Sequence, residues 1–279
     1  MRIFKTFKPK RGLLRKYVSY YYLDIADKES YFNEYICYPH YNTTVSLYKC
    51  HLATLDGNHP QHSVVEYHEQ APPLQIFTPL REVPLKVSQK GPIHKIAIVF
   101  EPLGINQFTK GIDLANKLIS PDFQLFKLHE VGSLFEQQTS EQLTDQLDRL
   151  LLANFSLVEN DYVSEALQYF HLPDNDLLID EIAERKLGIS RKQLNRLFKQ
   201  YLGTSPQKYR SIVRFRQLMD YKLRKEGQQS YTSLSHQAHY TDQSHFIKAC
   251  KQLTGLTPSQ FFKDGKIIGS EDIFWKLMG

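Results

Sequence analysis

Residues Ile179–Gly203 read IDEIAERKLGISRKQLNRLFKQYLG, and residues Tyr231–Gly255 read YTSLSHQAHYTDQSHFIKACKQLTG. These two stretches decide the fold of the C-terminal third of the chain, because the second repeats the first at a shift of 52 positions. The apolar positions keep their phase in this alignment, and Gly203 falls on Gly255. A repeat of this kind indicates one supersecondary unit that is used twice.

The first copy has the pattern of a helix-turn-helix. Apolar residues recur at three- and four-residue spacing along its two predicted helices, which places them on one face of each helix. They are Ile179, Ile182, Ala183 and Leu187 in the first helix and Leu194, Leu197, Phe198 and Tyr201 in the second. Gly188 permits a tight turn between the helices, Ser190 can cap the second helix, and Gly203 can end it.

The second helix of this copy carries polar and basic residues on its other face. They are Arg191, Lys192, Asn195, Arg196 and Lys199. In the major groove of DNA, Arg and Lys pair with guanine and Asn pairs with adenine, and all three can also contact phosphates. This face therefore predicts a helix that contacts double-stranded DNA.

The second copy repeats the plan with fewer charges. Asp242 is its candidate cap. Its outward residues are Gln243, Ser244, His245 and Lys248. Between the copies, residues 206–225 predict one long helix, which Pro206 opens from a position where its missing N–H is harmless. Arg210 and Arg214 on this helix are candidate phosphate contacts.

At these residues the chain resembles the DNA-binding domain of AraC/XylS-type transcription regulators. The resemblance is carried by GISRKQLNRLFKQYLGTSPQKY (188–209) and YTDQSHFIKACKQLTGLTPSQFF (240–262), which stand in the order and at the spacing of the family. It implies two helix-turn-helix units joined by a long helix, whose recognition helices enter successive major grooves on one face of the duplex. The turn before the first recognition helix is one residue longer than in the family pattern.

The resemblance also implies roles by position. The residues assigned to base edges are Lys192, Asn195 and Arg196 in the first unit and Gln243, Ser244 and Lys248 in the second. The phosphate candidates are Arg191, Lys199, Arg210 and Arg214. Ser190 and His245 complete the candidate DNA-binding set. Replacement of Arg196 by Ala is expected to cost about 1–3 kcal/mol of DNA binding and to blur one base position.

The charge of the chain is unevenly placed. The whole sequence has 35 Lys and Arg and 30 Asp and Glu, a net charge of +5, but residues 174–268 hold 17 of the former and 9 of the latter. The remainder therefore has 18 and 21 and is slightly acidic. A basic C-terminal half beside a mildly acidic N-terminal half indicates a polyanionic partner for one domain only.

Cysteine usage favours a cytoplasmic protein. Cys37, Cys50 and Cys250 are odd in number and lack C-x-x-C spacing, which is typical of reduced thiols and not of a disulfide framework. The basic N-terminal segment lacks the continuous apolar core of a signal peptide. The sequence also has no run of about 18 apolar residues, so no membrane partner is expected.

The first 132 residues predict a mostly-β domain, because runs of aromatic and β-branched residues alternate with turn signals. The predicted strands span 17–25, 31–38, 43–55, 63–68, 74–78, 85–88 and 93–100. Many short strands at near-even spacing indicate a barrel or a sandwich. In the AraC-type family this position usually holds a cupin-like sensing barrel, and FEPLGINQF (100–108) resembles an F-x-P-x-G-x-x-x-F element of some members.

Two groups of residues in this half are candidates for a ligand site. Many tyrosines could line an apolar pocket for a small-molecule effector or could simply pack the barrel core. They are Tyr17, Tyr20, Tyr21, Tyr22, Tyr31, Tyr35, Tyr38, Tyr41 and Tyr48. The histidines lack a His-x-His pair, which favours surface or core positions over a metal site. They are His40, His51, His59, His62 and His68. No metal and no cofactor is therefore expected.

The expected fold class is α+β, with a cupin-like barrel followed by an all-α domain. The expected boundaries are 1–158 for the barrel and its C-terminal helix, 159–173 for a linker helix, 174–268 for the DNA-binding domain and 269–279 for an apolar tail that docks on the chain's own surface. A helix predicted at 133–153 has an apolar stripe that could pair with a second copy, which would make a homodimer, or could cover its own barrel. The stripe consists of Leu143, Leu147, Leu150 and Leu151.

These patterns predict a sequence-specific, non-enzymatic transcription regulator whose N-terminal domain binds an effector or mediates dimerisation. An activator of this type would also contact RNA polymerase. Two other classes stay open: a metal-dependent cupin enzyme with an appended DNA-binding module, and a signalling adaptor whose helical half binds protein. The sequence has no G-x-S-x-G motif and no glycine-rich phosphate loop, which favours the regulator.

Overall fold

The computed structural model describes residues 2–55, 59, 61–109, 114, 123–172, 177–224, 243–264, 266–267 and 274–277. Its N-terminal half is built from short strands. They are β1 (Arg2–Phe7), β2 (Val18–Ala26), β3 (Phe32–Cys37), β4 (Thr43–Tyr48), β5 (His51–Leu55), β6 (His62–Tyr67), β7 (Leu74–Thr78), β8 (Leu85–Lys90) and β9 (Ile93–Phe100). Single turns of 3-10 helix lie at Leu14–Lys16 and Ile105–Gln107.

These strands form two sheets. One has the order β1-β2-β9-β4-β7, and its pairs are antiparallel. The other contains β3, β8, β6 and β5 in this order, and β6 pairs with β8 in parallel. Side chains of both sheets meet in one buried cluster, which includes Tyr22 and Tyr48 of the first sheet and Tyr35 and Val87 of the second. The predicted mostly-β barrel is confirmed.

The predicted strand segments are all strands, with two differences. The segment 43–55 is interrupted at Lys49 and Cys50, so that β4 and β5 belong to different sheets. The sequence does not predict β1, because its mixture of basic and apolar residues is equally typical of a basic terminus. In the structure β1 lies at the edge of its sheet and pairs with β2, where its basic residues disfavour association with another chain.

The next helices, α1 (Leu128–Leu134) and α2 (Ser140–Asn154), cover the first sheet. The leucine stripe of α2 is buried in one cluster with Val45 and Ile98 of the barrel. The structure therefore shows the intramolecular role of this stripe. The predicted start of this helix at residue 133 is wrong, because Thr139 caps it and accepts a hydrogen bond from the Gln142 N–H at 3.1 Å.

The C-terminal half is helical. Its helices are α3 (Asp161–His171), α4 (Ile179–Glu181), α5 (Arg191–Leu202), α6 (Pro206–Arg224), α7 (Gln243–Thr254) and α8 (Pro258–Asp264). α3, expected as a linker, packs into the same buried cluster as α4 and α5 through Val163 and Phe170. The first helix of the second unit lies outside the described residues. Asp242, the candidate cap of α7, lies outside them as well. Among the described helices, none is long and apolar enough to cross a membrane.

The chain returns to the barrel after α8. Short strands β10 (Lys266–Ile267) and β11 (Phe274–Leu277) extend the second sheet beyond β3. β11 runs antiparallel to β3, with Trp275 opposite Cys37 and Leu277 opposite Tyr35. For these residues, the expectation that the tail docks on the chain's own surface is confirmed.

Candidate nucleic-acid interface

Helix α5 is held firmly in the first unit. The Ser190 hydroxyl accepts a hydrogen bond from the Gln193 N–H at 3.2 Å and so caps the start of the helix. Gly203 ends it in the left-handed conformation, with φ of 73°. The inward residues Leu194 and Phe198 are fully buried. The packing of one face therefore fixes which face of α5 meets solvent.

The opposite face of α5 is cationic and accessible. Its exposed residues are Arg191, Lys192, Arg196 and Lys199. Asn195 is half-buried, and its Nδ2 donates to the Arg191 carbonyl at 2.9 Å. Arg191 also forms an ion pair with Asp180 at 3.0 Å, in which both side chains are about half exposed. The candidate residues of the first unit thus lie together on one surface, which we call the α5 face.

The turn before α5 differs from a simple α-helical end. α4 continues into a π-helical turn, Ile182–Lys186, in which the Leu187 N–H donates to the Ile182 carbonyl at 3.0 Å. A π turn holds one residue more than an α turn, which accommodates the additional residue of this segment. Gly188 follows with φ of 65°, a conformation that glycine adopts without strain.

The two candidate arginines of α6, Arg210 and Arg214, lie in different surroundings from the candidate cations of α5. Arg210 is only 7% exposed, and its Nη1 donates to the carbonyl of Leu177. This position favours a structural role that fixes the chain before α4, and it disfavours the expected phosphate contact. Arg214 is half-buried.

The second unit follows the first in its inner face. Phe246, Cys250 and Leu253 of α7 are buried in a cluster with Ile212 and Phe215 of α6. On the outer side, the exposed candidates are Ser244 and Lys248. The side chains of the candidates Gln243 and His245 lie outside the described part of the structure.

The barrel contacts the helical half directly. Tyr38 of the barrel packs edge-on against Phe261 of α8, with ring centroids 4.7 Å apart. Arg216 of α6 is 5% exposed, and it donates from Nε to the Pro39 carbonyl at 2.7 Å and from Nη2 to the Tyr38 carbonyl at 3.1 Å. α6 therefore joins the two helix-turn-helix units to each other and to the barrel.

An open cavity lies between the two sheets and reaches α6. Five of the tyrosines noted in the sequence line it. They are Tyr20, Tyr22, Tyr35, Tyr38 and Tyr48. Its charged lining residues are Lys95, Arg81 and Arg216, and no Asp or Glu is among the lining residues that the structure describes. The cavity is therefore aromatic and cationic.

Lys95 is the most deeply placed of these cations. Its Nζ lies 5.0 Å from the ring centroid of Tyr22 and 5.5 Å from that of Tyr48, a cation–π arrangement. Burial lowers the pKa of Lys95 to about 8, although the negative charge of Asp24 acts in the opposite direction. Asp24 stands opposite Lys95 in the β2–β9 register and forms an ion pair with Arg2 at 2.8 Å.

The histidines of the barrel do not converge. His40 and His51 are buried, and burial lowers the pKa of His51 to about 4. His59 and His68 are exposed, and His62 donates to or accepts from the Ser88 hydroxyl at 2.7 Å. Within the described ranges, no group of three or more His, Cys, Asp or Glu is placed to hold a metal ion.

The cations of the cavity are not among the residues that the sequence predicts. Lys95 lies in a strand that is apolar apart from itself and His94, IHKIAIVF, and this isolation is a signal that could have identified it. Arg216 gives no such signal, because Arg and Lys recur along α6. Only the packing of α6 against the barrel brings Arg216 to the cavity.

Comparison with known proteins identifies a helix-turn-helix domain in the C-terminal region. Residues 184–264 match the family described as "Helix-turn-helix domain". An uncharacterized HTH-type transcriptional regulator of Haemophilus influenzae is 30% identical over 109 residues, which are 39% of this chain and 36% of the relative. The match therefore spans about a third of the length of that curated relative.

Two solved structures show similarity of different extent. ToxT from Vibrio cholerae aligns over 94% of this chain and 97% of its own, with 12% sequence identity and a TM-score of 0.48. A transcriptional regulator from Chromobacterium violaceum, described among AraC-type DNA-binding domain-containing proteins, aligns over 36% of this chain and 87% of its own. It is 29% identical, with a TM-score of 0.31.

Proposed function

We propose that this chain, whose residues 184–264 form a helix-turn-helix domain of the AraC type, is a sequence-specific DNA-binding transcription regulator. The observation that carries the proposal is the α5 face. Its cations are exposed on a helix whose other side is buried, so they form a rigid surface for a polyanion. A non-enzymatic role and a cytoplasmic location are parts of the same proposal.

Within the first unit, Lys192, Asn195 and Arg196 are proposed to contact base edges, because these residue types carry the donors and acceptors that read the major groove. Arg191 and Lys199 flank them and are proposed to bind phosphates. Ser190 contributes by capping the helix. Arg214 is retained as a phosphate candidate, whereas Arg210 is now proposed as a structural residue.

Within the second unit, the exposed Ser244 and Lys248 are proposed to contact DNA, together with Gln243 and His245 on the strength of their positions in the repeat. Two units on one chain are suited to half-sites about one helical turn apart. α6 lies between the units and packs against both, which supports a fixed spacing between them.

The N-terminal barrel is proposed to bind a small organic anion as effector. Lys95, Arg81 and Arg216 give its cavity positive charge, and the tyrosines give it an apolar, aromatic wall. Because Arg216 belongs to α6, an anion bound there would contact both halves of the molecule. Thermal-shift screening of carboxylates against their neutral amides tests this part, and an equal response to both series would contradict it.

A homodimer and a contact with RNA polymerase stay as proposals. The leucine stripe of α2 is used inside the chain, so a dimer would need another surface. RNA polymerase would be a partner if the regulator is an activator. Analytical ultracentrifugation of the purified chain, with and without DNA, measures the first of these directly.

The test of DNA binding is a salt titration of the wild-type chain and of Arg196→Ala on selected DNA. The logarithm of the wild-type affinity should fall linearly with the logarithm of salt concentration, because bound cations release counterions from the duplex. Arg196→Ala should lose about 1–3 kcal/mol and discriminate less at one base position. Glu66→Gln, an exposed change on β6 of the barrel, is the control and should bind as the wild type does. Equal affinity of Arg196→Ala and wild type would refute the assignment of the α5 face.

A further inference from the structure

The barrel places a carboxylate against the start of α6. Glu82 lies in the loop between β7 and β8, and its Oε1 accepts a hydrogen bond from the Thr204 hydroxyl at 2.5 Å. Its Oε2 accepts a hydrogen bond from the Lys208 ammonium, with which it forms an ion pair. A hydroxyl and an ammonium that bind the two oxygens of one anion are also a typical set for a DNA phosphate.

Thr204 and Lys208 stand close to the α5 face along the chain. Gly203 ends α5 and Pro206 begins α6, so the connection is three residues long and spans no more than about 10 Å. The major groove is about 12 Å wide, and phosphates line both of its edges. When α5 enters the groove, these two side chains therefore come within reach of the flanking phosphates.

A second segment of the N-terminal half, at Leu114, lies against the end of α5. A Cβ atom added to Gly203 would be 2.2 Å from the carbonyl oxygen of Leu114, and Leu114 is itself buried in the cluster beneath the first sheet. The barrel thus approaches the end of α5 closely at Gly203 and the start of α6 at Thr204. The contact of Glu82 belongs to a packed junction between the two halves.

We propose that Thr204 and Lys208 form a DNA-phosphate site and that Glu82 occupies it as an internal competitor. DNA must displace the Glu82 carboxylate before the Lys208 ammonium can neutralise a phosphate, so the contact is autoinhibitory. This inference rests on the proposed function, because it needs the α5 face to enter a groove.

The position of Glu82 also connects this contact with the cavity. Its neighbour Arg81 lines the cavity, and the Arg81 guanidinium donates weakly to the Tyr38 carbonyl and to the Asn42 side chain, both at 3.4 Å. An anion that binds Arg81 in the cavity would therefore contact the loop that carries Glu82.

Glu82→Gln tests the proposal, because it keeps the shape of the side chain and removes its charge. The variant should bind DNA more tightly than the wild type, and the slope of log affinity against log salt should steepen by about 0.9, the amount for one added phosphate contact. Between 50 and 200 mM salt, the ratio of the two affinities should therefore change by about threefold. Glu66→Gln changes the net charge of the barrel equally and should leave the slope unaltered.

Lys208→Gln completes the experiment. It should weaken DNA binding strongly in the Glu82→Gln background and only slightly in the wild type, where the ammonium is already paired. If Glu82→Gln binds DNA with wild-type affinity and slope while Arg196→Ala still binds weakly, the autoinhibitory contact is wrong and the proposed function stands. If Arg196→Ala also binds normally, the proposed function itself has failed. Melting curves of all variants confirm that they are folded.

Discussion

The α5 face and the barrel cavity both concentrate positive charge, but they hold it in opposite environments. On α5 the cations are exposed and lie on one side of a single helix. In the cavity Lys95 and Arg216 are 4% and 5% exposed and are enclosed by tyrosines. Exposed charges in a row suit an extended polyanion, whereas buried charges in an enclosed space suit one small anion.

Because of this difference, the two regions should respond differently to solution conditions. Charges at a surface are screened by salt within about 8–10 Å at physiological ionic strength, so binding at the α5 face should depend steeply on salt. Charges in a buried cavity are screened much less, and their protonation is altered by desolvation instead. Salt should therefore control the first region and pH the second.

The largest effect is expected for Arg216, which belongs to the buried set. Arg216→Ala removes the charged donor of the Pro39 carbonyl and leaves the Tyr38 carbonyl only the weak contact from Arg81, so the free energy of unfolding should fall by about 3 kcal/mol. Chemical denaturation measures this loss. Arg191→Ala removes an arginine from the exposed set and should change stability by no more than about 0.5 kcal/mol. Equal losses in the two variants would remove the distinction between the regions.

Arg210 and Lys199 sharpen the comparison within the helical half. Arg210→Ala should cost about 2 kcal/mol of stability, because the Leu177 carbonyl loses its donor, and it should leave the salt slope of DNA binding unchanged. Lys199→Ala should do the reverse, with wild-type stability and a slope that is shallower by about 0.9. A salt slope that responds to Arg210→Ala would return this residue to the phosphate contacts.

A pH dependence of stability is expected from Lys95. The folded pKa of about 8 lies below the ordinary value of 10.5, so the unfolded chain binds the proton more tightly. The burial of charged Lys95 therefore lowers the free energy of unfolding by its full amount below pH 8. This loss disappears as the pH rises from 8 to 10.5. Lys95→Met has no group that titrates there. The difference in stability between wild type and Lys95→Met should therefore shift in favour of the wild type over this interval, and a constant difference would contradict the burial of a charged Lys95.

Local pattern was sufficient for much of the fold. The spacing of Leu194, Leu197 and Phe198 predicted the buried side of α5, and Ser190 and Gly203 predicted its ends, because a helix of this kind is determined by neighbouring residues. The barrel strands followed from aromatic and β-branched runs in the same way. β1 was missed because an edge strand with basic residues lacks the alternation of a half-buried strand.

Contacts between distant segments could not be predicted. The sequence gives Arg210, Arg214 and Arg216 similar weight on one basic helix, yet Arg210 bonds to the chain before α4 and Arg216 to the barrel. The partner of Glu82 lies more than a hundred residues away. Such pairings depend on how the halves pack, which residue type and spacing do not encode.

The most direct measurement is the selection of bound sites from random double-stranded DNA by the full chain. The enriched sequences should contain two conserved half-sites whose centres are about 10–10.5 base pairs apart, since the two recognition helices would enter adjacent major grooves on one face. Enrichment of a single half-site, or of no sequence at all, would contradict the claim that the repeated helix-turn-helix units read DNA together.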